Sequence, residues 1–154
     1  MIKRKVWRVI CKRDIPPDRR CVKCKWVFKV KCNGVYRACL VACGYSQIPG
    51  VDFTENYSPV VNDITFRLML IAKMVFGLKT KIVDVETAFL YGDLEEEIFM
   101  DCPPGLEGVT DEDALLLLQC IYGLVQAARK YHKKVIEILR DAGFKGGDVD
   151  PCLM

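Results

Sequence analysis

The spacing of hydrophobic and polar residues changes period several times along the 154-residue chain. In KWVFKVK (25–31), Trp26, Phe28 and Val30 alternate with Val27 and Lys29, a two-residue period that predicts a strand. Asn33-Gly34 predicts a tight turn, and Val35 to Ala42 the returning strand. The segments on either side are punctuated by turn formers: DIPPDRR (14–20) reads as a turn and residues 44–61 as an ordered loop. From Thr65 to Phe76 the apolar residues fall three and four apart, as in a helix. Asn62, Asp63 or Thr65 could cap it and Gly77 end it. KTKIVDV (79–85) predicts a short strand, residues 96–100 another, and Pro103-Pro104-Gly105 breaks the chain. ALLLLQCIYGL (114–124) predicts a strand, although a run of leucines fits a helix equally well. Residues 127–142 have the strongest helical period. Ala128, Tyr131, Val135, Ile138, Leu139 and Ala142 form an inner face, and Arg129, Lys130, Lys133, Lys134 and Arg140 a basic outer one; Gly143 supplies the stop. Antiparallel strands with packed helices define an α+β fold.

At 51% hydrophobic residues the chain can bury a core as a single domain over 1–154. The longest apolar run, Phe66 to Leu78, is interrupted by Arg67 and Lys73, which predicts no membrane partner and an intracellular protein with reduced thiols. A net charge of +3 conceals an asymmetry. Residues 1–40 carry 13 Lys/Arg against two acids, and residues 41–154 carry 10 against 18. The basic quarter suits phosphate, hence nucleic acid, as well as it suits a solvated face.

Two features could carry chemistry. The first is the cysteine-rich stretch: five of the nine cysteines lie between residues 21 and 43. Cys21-x2-Cys24 has the spacing of a zinc knuckle, and Cys32, Cys39 and Cys43 could supply further thiolates. A zinc ribbon normally pairs two knuckles, however, and Trp26 and Phe28 read as core. The second is Asp84, between Val83 and Val85 in the predicted strand. It sits either at the solvent end of that strand or as a ligand for a divalent cation, since Mg²⁺ needs only one or two protein carboxylates beside phosphate oxygens. The acids Asp93, Glu95, Glu96 and Glu97 read as a solvated face, and His132, without a partner at fixed offset, as surface or boundary.

From about Val6 onward the chain resembles the reverse transcriptase of copia-type retrotransposons. The resemblance rests on ordered blocks: KWVFKVK (25–31), LVACGYSQIPGVDFTENYSPVV (40–61), TFRLML (65–70), DVETAFLYGDLEEEIFM (84–100), CPPG (102–105), IYGLVQAARKY (121–131) and DPCL (150–153). It implies part of a right-hand polymerase, with residues up to about 78 and about 93–124 as fingers and about 79–92 and 125–154 as the start of the palm. It implies an RNA or DNA template-primer and a deoxynucleoside triphosphate as partners, the rest of a polyprotein, and Mg²⁺ as cofactor. Asp84 and the backbone carbonyl of Val85 would be metal ligands. Phe89 would lie under the sugar and exclude a ribose 2′-hydroxyl; read without the resemblance, it is a core residue. Gln126 would pack on the nucleotide, the alternative being an exposed amide at a helix start. Lys31 and Arg37 would clamp the triphosphate, the alternative being exposed hairpin charges.

The chain also departs from that pattern. The family's Tyr-x-Asp-Asp motif does not occur in it, which implies a polymerase domain cut before its second aspartate motif and inactive alone. Cys39 and Cys43 stand where the family usually has Arg or Lys, and Val125 and Ala128 where it usually has Lys and Pro, as in a decayed copy. Two other classes stay open: a small zinc-binding nucleic-acid module built on Cys21, Cys24, Cys39 and Cys43, and a non-catalytic interaction protein that reuses the polymerase fold.

Overall fold

A computed structural model describes residues 5–147 and 149–154. Lys3 and Arg4, two cations of the basic quarter, lie outside that range.

The core forms on a three-stranded antiparallel sheet of β1 (Trp7–Cys11), β4 (Asp93–Asp101) and β5 (Asp113–Gln119), in the order β1-β5-β4. β5 is the leucine run. It becomes a strand because it has partners on both edges: Leu115 faces Val9 and Met100, and Leu117 faces Trp7 and Ile98. Leu115, Leu117, Ile98 and Met100 are buried with Val6, Leu90, Ile121 and Leu124. Burying each such side chain contributes about 2 kcal/mol. β1 has no sequence forecast. Its WRVIC alternates weakly and sits among cations, and the pairing with β5 settles its state.

β2 (Cys24–Val30) and β3 (Tyr36–Ala42) form the expected hairpin. Lys29 pairs with Arg37 and Trp26 with Leu40. At its tip Gly34 has φ +79°, a left-handed conformation that suits a residue without Cβ. A single bridge, Val22 to Met100, attaches this ribbon to β4. The hairpin projects from the core, so Trp26 and Phe28 are not core residues: they are 38% and 75% exposed and stack at 6.3 Å.

Helix α1 (Asp63–Phe76) is capped by Asn62, whose side chain accepts the Ile64 N–H, and ends at Gly77 in the left-handed region. It is a helix by local signals alone, for none of its residues is buried. The expected packing of its apolar face is therefore not found among the described residues. The strand expected at 79–85 is absent too. Period and β-branching suit a strand, but no neighbouring strand offers hydrogen bonds, and Ile82 and Val83 are 96% and 75% exposed.

Helix α2 (Ala127–Asp141) starts and stops within one residue of expectation, but its buried side differs. Ala127 and Lys130 are the buried residues, whereas Ala128, Ile138 and Ala142 are exposed. Lys130 belongs inside because its Nζ meets Glu95 at 3.2 Å and Glu96 at 3.3 Å. Part of the acidic run of β4 is thus an anchor for α2 rather than a solvated face.

A candidate nucleotide site beside the basic hairpin

Between the hairpin, the 103–106 loop and the segment after Asp84 lies a cavity of about 910 Å³. Trp26, Arg37, Glu86, Thr87, Leu90 and Tyr122 are among the residues lining it. The Arg37 side chain has no hydrogen bond or ion pair with any described residue, so its guanidinium is available to an anion from outside. The Trp26 indole N–H donates to the Pro104 carbonyl at 3.0 Å, which ties the ring to the 103–106 loop at the cavity edge.

The opposite wall begins at Thr87. This β-branched residue holds φ +55°, ψ +39°, and its hydroxyl is buried without a partner. Both features are unfavourable, and both are held in place by the 3₁₀ turn that follows, Ala88–Tyr91, where the Leu90 N–H donates to the Thr87 carbonyl at 2.9 Å. Leu90 anchors this turn in the core. Phe89 packs edge-on to Tyr122 at 4.7 Å and to Tyr131 at 6.0 Å, half-buried against the core.

The sequence-predicted residues are brought together in part. Arg37 lines the cavity, and the Phe89 turn forms its wall through Thr87 and Leu90. Asp84 and Val85 stand in the exposed, unpaired stretch leading into Glu86 and Thr87. Asp84 has no hydrogen bond or ion pair with any described residue, and no other carboxylate joins it to make a cluster of three metal-binding groups. Lys31 sits at the hairpin tip, away from the cavity lining, where its backbone closes the turn: it donates to the Val35 carbonyl at 2.9 Å and accepts from Gly34 at 2.8 Å.

Gln126 is fully buried at the start of α2, so the exposed-amide alternative does not hold. Its Nε2 donates to the Asp52 carbonyl at 3.0 Å, and its Oε1 accepts from Gln47 Nε2 at 3.0 Å. Gln47 and Asp52 have no forecast in the sequence. They are two polar residues in a loop, and their partners lie more than seventy residues away. Asp150 is another such residue: it is buried, and backbone N–H donors from Asn62 and Cys152 hold its carboxyl below the usual range.

The cysteines do not build a zinc site. Among the described residues no three metal-binding side chains converge. Cys24 donates to the Asp101 carbonyl, and burial, reinforced by Asp101, pushes its pKa up to about 11; burial takes Cys120 to about 12. No described helix is long and apolar enough to cross a membrane.

The sequence model of the family described as "Reverse transcriptase (RNA-dependent DNA polymerase)" matches residues 4–153. The chain is 38% identical over 146 residues to the retrovirus-related Pol polyprotein from transposon TNT 1-94 of Nicotiana tabacum, covering 91% of this chain and 11% of that protein. The corresponding polyproteins of transposons RE2 and RE1 of Arabidopsis thaliana are 35% and 34% identical, over 90% and 86% of this chain and 10% and 9% of theirs. The chain therefore spans about a tenth of the length of these curated relatives. No solved structure matches it. The chain belongs to the reverse transcriptase family, with the domain carried by Pol polyproteins of copia-type retrotransposons.

Proposed function

We propose that the chain contributes fingers and the start of the palm to a right-hand polymerase, and that its cavity receives a deoxynucleoside triphosphate opposite a nucleic-acid template. Residues 1–78 and 93–124 form the fingers in this reading; 79–92 and 125–154 open the palm. The observation that carries it is the unpaired Arg37 guanidinium lining the same cavity as Thr87 and Leu90, which belong to the turn that carries Phe89. A polyanion entering there meets a permanent cation on one side and an aromatic-backed wall on the other. Lys31, free at the hairpin tip, adds charge along the approach, and Phe89 is the ring that a sugar would contact.

The family reaction joins a primer 3′-hydroxyl to the α-phosphate of the nucleotide and releases pyrophosphate. Asp84, an unpaired exposed carboxylate just before the cavity wall, has the donor chemistry for Mg²⁺, with the Val85 carbonyl beside it. Such an ion, when bound, stabilises charge on the phosphoryl oxygens. Asp84 and the Val85 carbonyl do not complete a coordination shell, so phosphates and other protein groups would supply the remaining ligands. The template is held by the hairpin, where Trp26 and Phe28 form a stacking surface on one face of β2 and Lys25 and Lys29 stand on the opposite face.

Titration of the chain with a fluorescent deoxynucleoside triphosphate and Mg²⁺ tests the reading. We expect saturable binding that weakens about tenfold in Arg37→Ala, the worth of one charge-assisted contact. Equal affinity of wild type and Arg37→Ala would defeat it.

A further inference from the structure

We infer that Gln47 and Gln126 are positioning residues: their paired amides lock the base of the β2–β3 hairpin against the cavity wall and so set where Arg37 stands. The effect on the nucleotide rests on the reading above; the lock itself does not.

The lock is a chain of hydrogen bonds out of contact with water. Gln126 donates to the Asp52 carbonyl and accepts from Gln47, each at 3.0 Å. Gln47 in turn accepts the Val125 N–H at 2.8 Å, and the Asp52 carboxylate accepts the Ile48 N–H at 2.7 Å. Exposure is 6% for Gln47, 2% for Asp52 and 0% for Gln126. A buried amide removed from such partners is left unsatisfied, so the chain holds or fails as a unit. Gln126 could turn to a ligand only by abandoning Asp52 and stranding Gln47.

The amides sit behind a seam where backbones touch. The Ala42 N–H at the end of β3 donates to the Tyr122 carbonyl at 2.8 Å. A Cβ on Gly44 would come within 2.4 Å of the Gly123 carbonyl, and one on Gly123 within 2.0 Å of the Ala42 carbonyl. Tyr122, on the far side of the seam, lines the cavity and meets Phe89. The lock thus joins the hairpin that carries Arg37 to the wall that carries Phe89. Arg37 lies five residues along β3 from Ala42, a lever of about 17 Å, so a tilt of about 4° at the seam moves the guanidinium by about 1 Å.

The test compares Gln47→Met, Gln126→Met and the double variant, which keep side-chain length but remove the amides. Gln47→Asn is the milder companion: it keeps a neutral amide but shortens its reach to Val125 and Gln126, so the comparison survives if a Met variant fails to fold. Hydrogen exchange at the Ala42 amide reads the seam directly. We expect faster exchange in both single variants and no further increase in the double. Affinity for deoxyadenosine triphosphate with Mg²⁺, normalised to folded protein, should fall about tenfold in each single variant and no more in the double. Wild-type exchange in both single variants would overturn the lock. Weakened nucleotide binding in Gln126→Met with full affinity in Gln47→Met would overturn it in favour of direct contact by Gln126. Lowered stability with unchanged exchange pattern and affinity would reduce the pair to packing, also against the proposal. If wild type binds no nucleotide, the nucleotide reading falls and exchange alone decides the lock.

Discussion

The Asp150 carboxylate accepts the backbone N–H of Asn62 at 2.9 Å, across 88 residues of sequence. Asn62 is also the residue whose side chain caps α1, so the residue at the start of that helix is itself held by the far end of the chain. Asp150 accepts from the Cys152 N–H with its other oxygen. Since α1 buries none of its residues, these end contacts are its main ties to the rest of the fold.

Asp150→Ala should therefore release α1 more than it disturbs the sheet. Hydrogen exchange should speed up through Asp63–Phe76 and stay near wild type in β5. The same contact is pH-dependent. Backbone donors at Asn62 and Cys152 hold the folded pKa below the unfolded one. Stability from this residue is complete above the unfolded value, about 4, and is lost as pH falls through the lower folded value. Helicity followed by circular dichroism from pH 6 to pH 2 should show a loss in wild type that is already present at pH 6 in Asp150→Ala.

Where sequence signals are local, they foretell structure here. Asn33-Gly34 and the alternation beside it suffice for the hairpin, and Asn62 with Gly77 frames α1 to within two residues. Signals that depend on distant partners do not carry over. KTKIVDV has a strand's period, yet it stays unpaired because a strand exists only beside another. Lys130 belongs to a run of cations on paper and is buried in space, since Glu95 and Glu96 come from another element. Resemblance to a family points to Arg37 and Phe89; the cavity wall that joins their elements, and the Gln47–Gln126 pair behind it, arise from contacts between segments far apart in sequence.

The Lys130 anchor should be measurable. Glu95 is largely exposed and Glu96 mostly covered, so the cluster lies between a surface pair and a buried one. Lys130→Ala should lower stability by about 1–2 kcal/mol in urea unfolding, because Glu96 is left without its counter-charge. Lys130→Met combined with Glu96→Gln should recover much of that loss, as the uncompensated charge is gone and the aliphatic stem is retained. An equal loss in both variants would mean that the ion pair itself, rather than the packing of the stem or a stranded Glu96 charge, holds α2 to β4.

Glycines at two turns separate steric from conformational cost. Gly34 and Gly123 both have positive φ, but a Cβ at Gly34 meets nothing within 4 Å, whereas one at Gly123 meets the Ala42 carbonyl at 2.0 Å. Gly34→Ala should cost about 1 kcal/mol, the left-handed penalty alone. Gly123→Ala must also push the seam apart, and about 3 kcal/mol or more is expected. Equal melting temperatures for the two variants would show that the seam opens without resistance.

On the proposed reading, the hairpin would hold single-stranded nucleic acid by two separable means. Phe28 is 75% exposed and stacked on Trp26, a surface on which an unpaired base can lie. Lys25 and Lys29 sit at alternate positions of the same strand, exposed and without a described partner. Stacking is insensitive to salt, while phosphate contacts release counterions. Phe28→Ala should therefore weaken binding of a short single strand by about 1–3 kcal/mol at every salt concentration and leave the salt slope unchanged. Lys29→Ala should lower that slope by about 0.7 and weaken binding mostly at low salt. Anisotropy titrations at several salt concentrations distinguish the two. A Phe28→Ala variant that changes the slope but not the high-salt affinity would assign the hairpin a purely electrostatic role.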